Sequence, residues 1–258
     1  MLSLRSLDLL AAFTLDTWLL ARFASHLGGA TSDGRAWERA VAGLLYRPGF
    51  TRRQGPGNLS LFGSRSASGV HHEIDSAADS YNGLFVVESK DTAGGISKAD
   101  AALFHYKVAD YYQSKVVTAS RESWWGFLCA TSQTSAQVRA TALSLGLLVC
   151  DPDRLPLPVL FRAASRPAAE MLLPETLLQE IVRLGEGALS TLQQRWRYDA
   201  RSREISFSTR RWRENEIDDL MWLEDELSAY LIALYEKNRP RVLERRAMNL
   251  IRQARKVA

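Results

Sequence analysis

The stretch around Asn82-Gly83 constrains this chain more than any other feature. One run, Glu73-Ile-Asp-Ser-Ala-Ala-Asp-Ser-Tyr81, precedes the pair, and a second, Leu84-Phe-Val-Val-Glu-Ser-Lys90, follows it. Asn-Gly is the strongest two-residue hairpin signal, because both positions tolerate positive φ. With Asn82 and Gly83 as the loop, Tyr81 faces Leu84, Ala77 faces Glu88 and Asp75 faces Lys90. Directly opposite residues share a face of the ladder, and so do alternate residues along one strand. Asp75, Glu88 and Lys90 are therefore expected on one side of the sheet, with Ile74, Phe85 and Val87 as an apolar stripe on the other.

The flanking sequence supplies layers for such a hairpin. Residues 4–27 read as a helix through Leu9, Leu10, Phe13, Trp18 and Leu20, stopped by Gly28-Gly29; Asp8 and Asp16 interrupt the run a signal peptide would need. A second helix is expected from Ser32 or Asp33 to about Tyr46, and a loop or irregular strand over 51–69. Ser97 and Asp100 form a capping box for a third helix to about Gln113. Val116 to Ala119 reads as a short extended piece. A strand over 124–131, a helix over 135–145 and a strand over 147–151 make a parallel crossover unit. Beyond Ser165-Arg-Pro167 the pattern turns helical, so two regions are expected, 1–166 and 167–258. In the second, a helix starts near Pro174, a small hairpin spans 196–208, a long helix runs from 214 to 238 and a last helix starts at Pro240. Leu220, Leu223, Leu227, Tyr230 and Leu234 keep spacings of three and four, the mark of a core-facing stripe. The fold class is thus α/β: a mixed central sheet flanked by helices, with a mainly helical C-terminal region.

The chemistry concentrates in the hairpin. Across such a ladder Asp75 and Glu88 are diagonal neighbours with backbones roughly 7–8 Å apart. A hard cation with ligand distances of roughly 2.1 Å fits between carboxylates so placed. Two acids and a lysine projecting from apolar strands are costly unless paired or metal-bound. A divalent ion there would polarise a phosphate and activate water, and Lys90 would orient that water or offset charge at phosphorus. That is the chemistry of phosphodiester hydrolysis.

Glu-Ile-Asp75, ten residues, then Val-Val-Glu88-Ser-Lys90 resembles the signature of the PD-(D/E)XK nuclease superfamily, and is similar to the cores of Holliday-junction resolvases and Mrr-like nucleases. The resemblance covers roughly residues 30–155. Ile74 stands where the signature has proline. The resemblance implies a restriction-endonuclease-like fold and magnesium, or manganese in its place, held by Asp75, Glu88 and the main-chain carbonyl of Ser89. It also implies an assisting acid from the preceding helix, where Glu38 matches by position, and a helix after Lys90 that often carries glutamine or tyrosine. DNA is favoured over RNA, and defence, restriction or repair is suggested, by the same likeness alone. The alternatives carried beside it are a nucleic-acid-binding module that has lost cleavage, and a scaffold or partner subunit working through its C-terminal helices.

Around this centre, Arg52, Arg53, His72, Lys107 and Gln113 are candidate nucleic-acid contacts. Each has a bland rival: a solvated basic loop for Arg52, Arg53 and Arg65, a hydrogen-bonded histidine for His71 and His72, and simple packing for Tyr111 or Tyr112. Glu73 alternates with Asp75 and shares its face; an acid behind the ligands or an alternative ligand stands there beside the bland reading of a plain strand acid. The formal net charge of +4 permits an anionic partner without requiring one. Seven basic residues against one acid in the last twenty suit a phosphate backbone, and suit a solvated tail or a homodimer contact almost as well. The two cysteines, Cys129 and Cys150, end apolar runs and read as buried thiols in neighbouring strands; no CxxC or Cys/His cluster suggests zinc. A reducing cytoplasm fits, and no run is long enough to span a bilayer. No Ser-His-Asp order, Walker loop or Rossmann fingerprint stands out.

Overall fold

The computed structural model describes residues 4–27, 35–58, 60–81, 83–113, 123–165, 173–192, 194–199, 204–207, 215–238 and 240–257. In chain order its elements are α1 (Leu4–Arg22), a short 3-10 turn (Ala24–Leu27), α2 (Arg35–Leu44), β1 (Phe50–Gln54), β2 (Ser76–Ser80), β3 (Gly83–Lys90), α3 (Lys98–Gln113) and β4 (Ser123–Ala130). They continue with α4 (Ala136–Ser144), β5 (Leu147–Cys150), α5 (Leu157–Ala164), α6 (Glu175–Leu192), β6 (Gln194–Asp199), β7 (Glu204–Phe207), α7 (Glu216–Asn238) and α8 (Pro240–Val257).

The hairpin forms, two residues out of the expected register. Ser80 pairs with Gly83, Ala78 with Phe85 and Ser76 with Val87. Tyr81 and Asn82 are therefore the loop, and Asn82 itself lies outside the described residues. Gly83 is drawn into the sheet instead, at φ +113°. A Cβ there would stand 2.6 Å from the Ser123 carbonyl oxygen, so the close approach of β4 needs a glycine at that end of β3. A slip of two residues keeps every side chain on its face, because the strand repeat is two.

β1 pairs antiparallel with β2 through a register shift between Phe50 and Arg53, so the segment read as loop or irregular strand opens as a short bulged strand over 51–54 and continues as loop. β4 joins β3 in parallel, and β5 joins β4 in parallel through α4, whose N-cap is Ser135. The expected crossover is present, and Cys129 and Cys150 are register partners, both buried and free. The small hairpin β6–β7 attaches through two antiparallel pairs at the start of β4. The result is a mixed sheet in the order β1-β2-β3-β4-β6-β7, with β5 also on β4. The segment 116–119 lies outside the described residues. Helix α5 was not expected; Pro156 and Pro158 flank its first residue, where missing N–H groups cost nothing.

Apolar side chains cover both faces. Phe85, Val87, Trp125 and Phe127 pack with Phe13 of α1, Val41 of α2, Leu223 and Leu227 of α7 and Ile251 of α8. Helices from either side of residue 166 thus share one core. Leu84, Val86, Trp124 and Leu128 pack on the other face with Phe104, Val108, Tyr111 and Tyr112 of α3. Ile74 belongs to this second cluster and not with Phe85 and Val87. It precedes β2, where the backbone has left the pleat and alternation no longer fixes its side. On α7 the buried stripe runs Leu220, Leu223, Leu227 and Leu231, while Tyr230 is 37% exposed. Among the described residues no helix is long and apolar enough to cross a membrane.

Candidate active site

β3 ends in Glu88-Ser-Lys90 beside the carboxyl end of parallel β4, where Glu88 registers with Leu128 and Lys90 with Ala130. Carboxyl ends of parallel strands are where α/β sheets collect ligand-binding side chains, because the loops leaving them diverge. Leu84 and Val86 on the α3 face continue by alternation to Glu88 and Lys90, so the apolar stripe gives way to charge at the sheet edge. Asp75 stands one residue before β2, next in the ladder after Ser76, which pairs with Val87. Its Oδ2 accepts the Ser89 N–H at 2.6 Å, which pins Asp75 across from the Glu88-Ser89 backbone.

Glu88 is only 4% exposed. The Lys90 ammonium lies 3.1 Å from Glu88 Oε1 and 3.6 Å from Asp100 Oδ1. Lys107, on α3, donates to both Glu88 oxygens, at 3.2 and 3.4 Å. Asp100 doubles as the cap of α3: its carboxylate accepts from the Ser97 N–H and hydroxyl, at 2.9 and 2.6 Å, and its own N–H donates to Ser97 Oγ at 3.1 Å. That is the capping box expected from the sequence. Glu38 enters from the first turn of α2. The neighbouring Trp37 holds that turn to the sheet by donating its indole N–H to the Cys129 carbonyl at 3.2 Å.

The electrostatics follow from this crowding. Burial, then the Glu88 charge, pushes the Asp75 carboxyl up to about 7; Glu38 adds to the push, while the Ser89 N–H and Lys90 oppose it. Burial alone would lower Lys90, but Glu88 and Asp100 outweigh it and hold the ammonium above its usual value. Lys90 is therefore a cation at neutral pH, suited to orienting and neutralising rather than to accepting a proton.

The structure thus brings Asp75, Glu88, Ser89 and Lys90 together and sets Glu38 within electrostatic reach. Lys107, expected in a nucleic-acid groove, sits on Glu88 itself. Its position on α3 carried no local mark of that contact; only the helix packing on β3 supplies it. The remaining candidates have structural partners. Arg52 stacks on Phe62 at 4.6 Å and donates to its carbonyl at 2.9 Å. Arg53 lies over Tyr46 at 5.1 Å and donates to the Leu45 and Phe50 carbonyls at 2.8 and 3.0 Å. His72 is 2.7 Å from Asp110 Oδ2, and its carbonyl accepts the Tyr111 hydroxyl at 2.6 Å. Ser68 gives both its N–H and hydroxyl to the same Asp110. This clasp fastens the segment leading into Asp75 onto α3, a role no local pattern announced. Glu73 and His71 are exposed, and Arg65 lies in the exposed loop. The Gln113 side chain lies outside the described part.

Among the described residues no three His, Cys, Asp or Glu side chains gather as a ready-made metal cage. Magnesium does not require one: it is commonly held by one or two carboxylates, with water and substrate phosphate completing its shell. Asp75, Glu88 and the Ser89 carbonyl form an all-oxygen set of that kind. The upward push on Asp75 comes first from burial and then from the neighbouring Glu88 charge, and a divalent ion between the two carboxylates would offset both. The donor set fits the ion.

No family model and no curated protein matches the chain. Among solved structures it is similar to a crystal structure described as that of a protein of unknown function, AF1548, at 13% identity, with 83% of this chain and 99% of that chain covered and a TM-score of 0.32. A likeness that loose carries no argument about fold or activity.

Proposed function

We propose that the protein hydrolyses phosphodiester bonds, most readily in DNA, with magnesium or manganese, on a restriction-endonuclease-like core. The observation that carries this reading is the convergence of Asp75, Glu88 and Lys90 at one sheet edge, with the Asp75 carboxylate bonded to the backbone between the other two. The order α2-β1-β2-β3-α3-β4, with antiparallel β1–β3 and parallel β4, supports the finer fold assignment.

Asp75, Glu88 and the Ser89 carbonyl would hold the ion, which supplies Lewis-acid charge toward a phosphate oxygen and the attacking water. Lys90, fixed between Glu88 and Asp100, orients that water and offsets the charge gathering on the phosphate oxygens. Glu38 completes the acidic side of the site. The lysine cover on Glu88 favours one rival, a nucleic-acid-binding module of the same fold without cleavage.

Plasmid, linear, single-stranded and branched DNA, and RNA, incubated with and without magnesium or manganese, separate the two. The nuclease reading expects cleavage that a chelator stops and that Asp75→Ala and Glu88→Ala abolish. Salt-sensitive binding with no metal-dependent cleavage of any substrate would instead establish the rival.

A further inference from the structure

Glu88 is contacted by two ammonium groups, and they are not equivalent. Lys90 is shared with Asp100, so it has a second carboxylate to turn to. Lys107 straddles both Glu88 oxygens, the pair a metal ion would use, at 3.2 and 3.4 Å. Lys90 grows from the same strand as Glu88, two residues on, and keeps Asp100 as a partner beside it whatever occupies Glu88. Lys107 comes from α3, whose buried neighbours Phe104 and Val108 fix the helix while leaving a four-carbon tether free to swing. Its side chain keeps 16% exposure, so an outward path exists.

We propose that Lys107 is the resident counter-ion of Glu88 in the metal-free protein, and that a divalent cation binds by displacing it. This rests on the reading of Asp75 and Glu88 as metal ligands. A buried carboxylate without compensation is costly, so the site needs a cation at all times. Lys107 meets that need without metal, at the cost of weakening metal affinity. Displaced, its ammonium stays at the site rim, where the substrate backbone would lie. Lys107 is thus a positioning residue for the site, and it makes metal loading and phosphate binding cooperative: substrate phosphate offers the released ammonium a new partner.

The test is manganese binding to the full-length protein, measured by titration calorimetry without substrate, so that no activity is involved. Lys107→Met, which keeps the length and loses the charge, is expected to bind manganese about tenfold tighter than wild type, the change that ~1.4 kcal/mol of relieved competition produces. Lys107→Arg is expected to stay near wild type. Adding a short non-cleavable phosphodiester is expected to tighten manganese binding in wild type and to do so less in Lys107→Met. Thermal melting of each metal-free variant reports whether the fold persists. If wild type binds manganese in a way that Glu88→Gln removes, yet Lys107→Met binds no more tightly, the counter-ion idea is overturned and the metal site stands. If no protein binds manganese at a Glu88-dependent site, both are overturned.

Discussion

Two clusters of buried charge sit near the carboxyl ends of the central strands, and they are built differently. Around β3, Lys90 and Lys107 face Asp75, Glu88, Asp100 and Glu38. Beyond β4 and β5, Arg139, only 2% exposed, donates from its two terminal nitrogens to Glu224 at 2.7 Å and Asp225 at 3.0 Å, and Arg154 closes on Asp225. Asp151 in that second cluster is capped by the Thr134 and Asp153 N–H groups, each at 3.1 Å. Burial is the first influence on Asp75 and on Glu224, and it pushes each up to about 7. The second influence differs in sign: Arg139 pulls Glu224 back down, whereas Glu88 pushes Asp75 further up. The planar arginine fork locks two residues of α7 to α4, which is a structural bond. The lysine cluster holds four carboxylates against two ammonium groups, a surplus of negative charge that on the proposed reading suits a site for a cation.

Substitutions can break this contrast, and the largest effect is expected in chemistry. Glu88→Gln keeps the shape of the side chain and loses its charge. On the proposed mechanism it lowers metal-dependent cleavage by about 10⁴-fold or more, ~5.5 kcal/mol of barrier, in single-turnover assays. Next, Arg139→Met leaves Glu224 buried without its partner. Urea unfolding should show a loss of about 3–4 kcal/mol, with metal-dependent cleavage by the remaining folded protein unchanged. A loss below about 1 kcal/mol would mean that the arginine cluster is not the structural one.

Asp110 tests whether the site has its own fastening. Burial raises its carboxyl, but Ser68 and then His72 outweigh that and hold it at about 2. A depressed folded value stabilises above the unfolded value near 4, and that stability is lost as pH falls through about 2. Asp110→Asn is therefore expected to cost about 2 kcal/mol at pH 7, with the two urea curves converging near pH 2. Equal offsets at pH 7 and pH 2 would contradict the linkage. The smallest effect has the opposite sign. Asp75 is raised, so its charge opposes folding above about pH 7, and the penalty fades as pH drops toward 4. A shift of that size caps the gain at roughly 4 kcal/mol, and the partial exposure of Asp75 and the weaker acceptor that Asn offers the Ser89 N–H reduce it, so metal-free Asp75→Asn should be more stable than wild type at pH 8 by on the order of 1 kcal/mol and equal to it near pH 4. Glu224→Gln should destabilise at both pH values, because it removes one of the two carboxylates that hold the buried Arg139 guanidinium. If both substitutions shift stability the same way, the distinction between the clusters fails.

The hairpin, the capping box at Ser97 and Asp100, the Ser135 cap and the β4-α4-β5 crossover were legible locally, because caps, turn residues and strand alternation act over a few residues. The gathering of Asp75, Glu88 and Lys90 was legible for a stronger reason. Glu88 and Lys90 share a face by parity alone, which survives the two-residue slip that Gly83 and Ser123 impose, while Asp75, one residue before β2, is held to them by its bond from the Ser89 N–H. Parity stops where the pleat stops, which is why Ile74 went to the other core.

What the amino-acid order determined by itself is therefore most of the elements, though not α5, and the shared parity of Glu88 and Lys90. Tertiary structure alone decided which further cations meet the acids. Lys107 reaches Glu88 from nineteen residues on, and Arg139 meets Glu224 across 85. Such pairings depend on how helices pack against the sheet, a balance of buried area and charge compensation summed over the whole core, and no short window of sequence contains that sum.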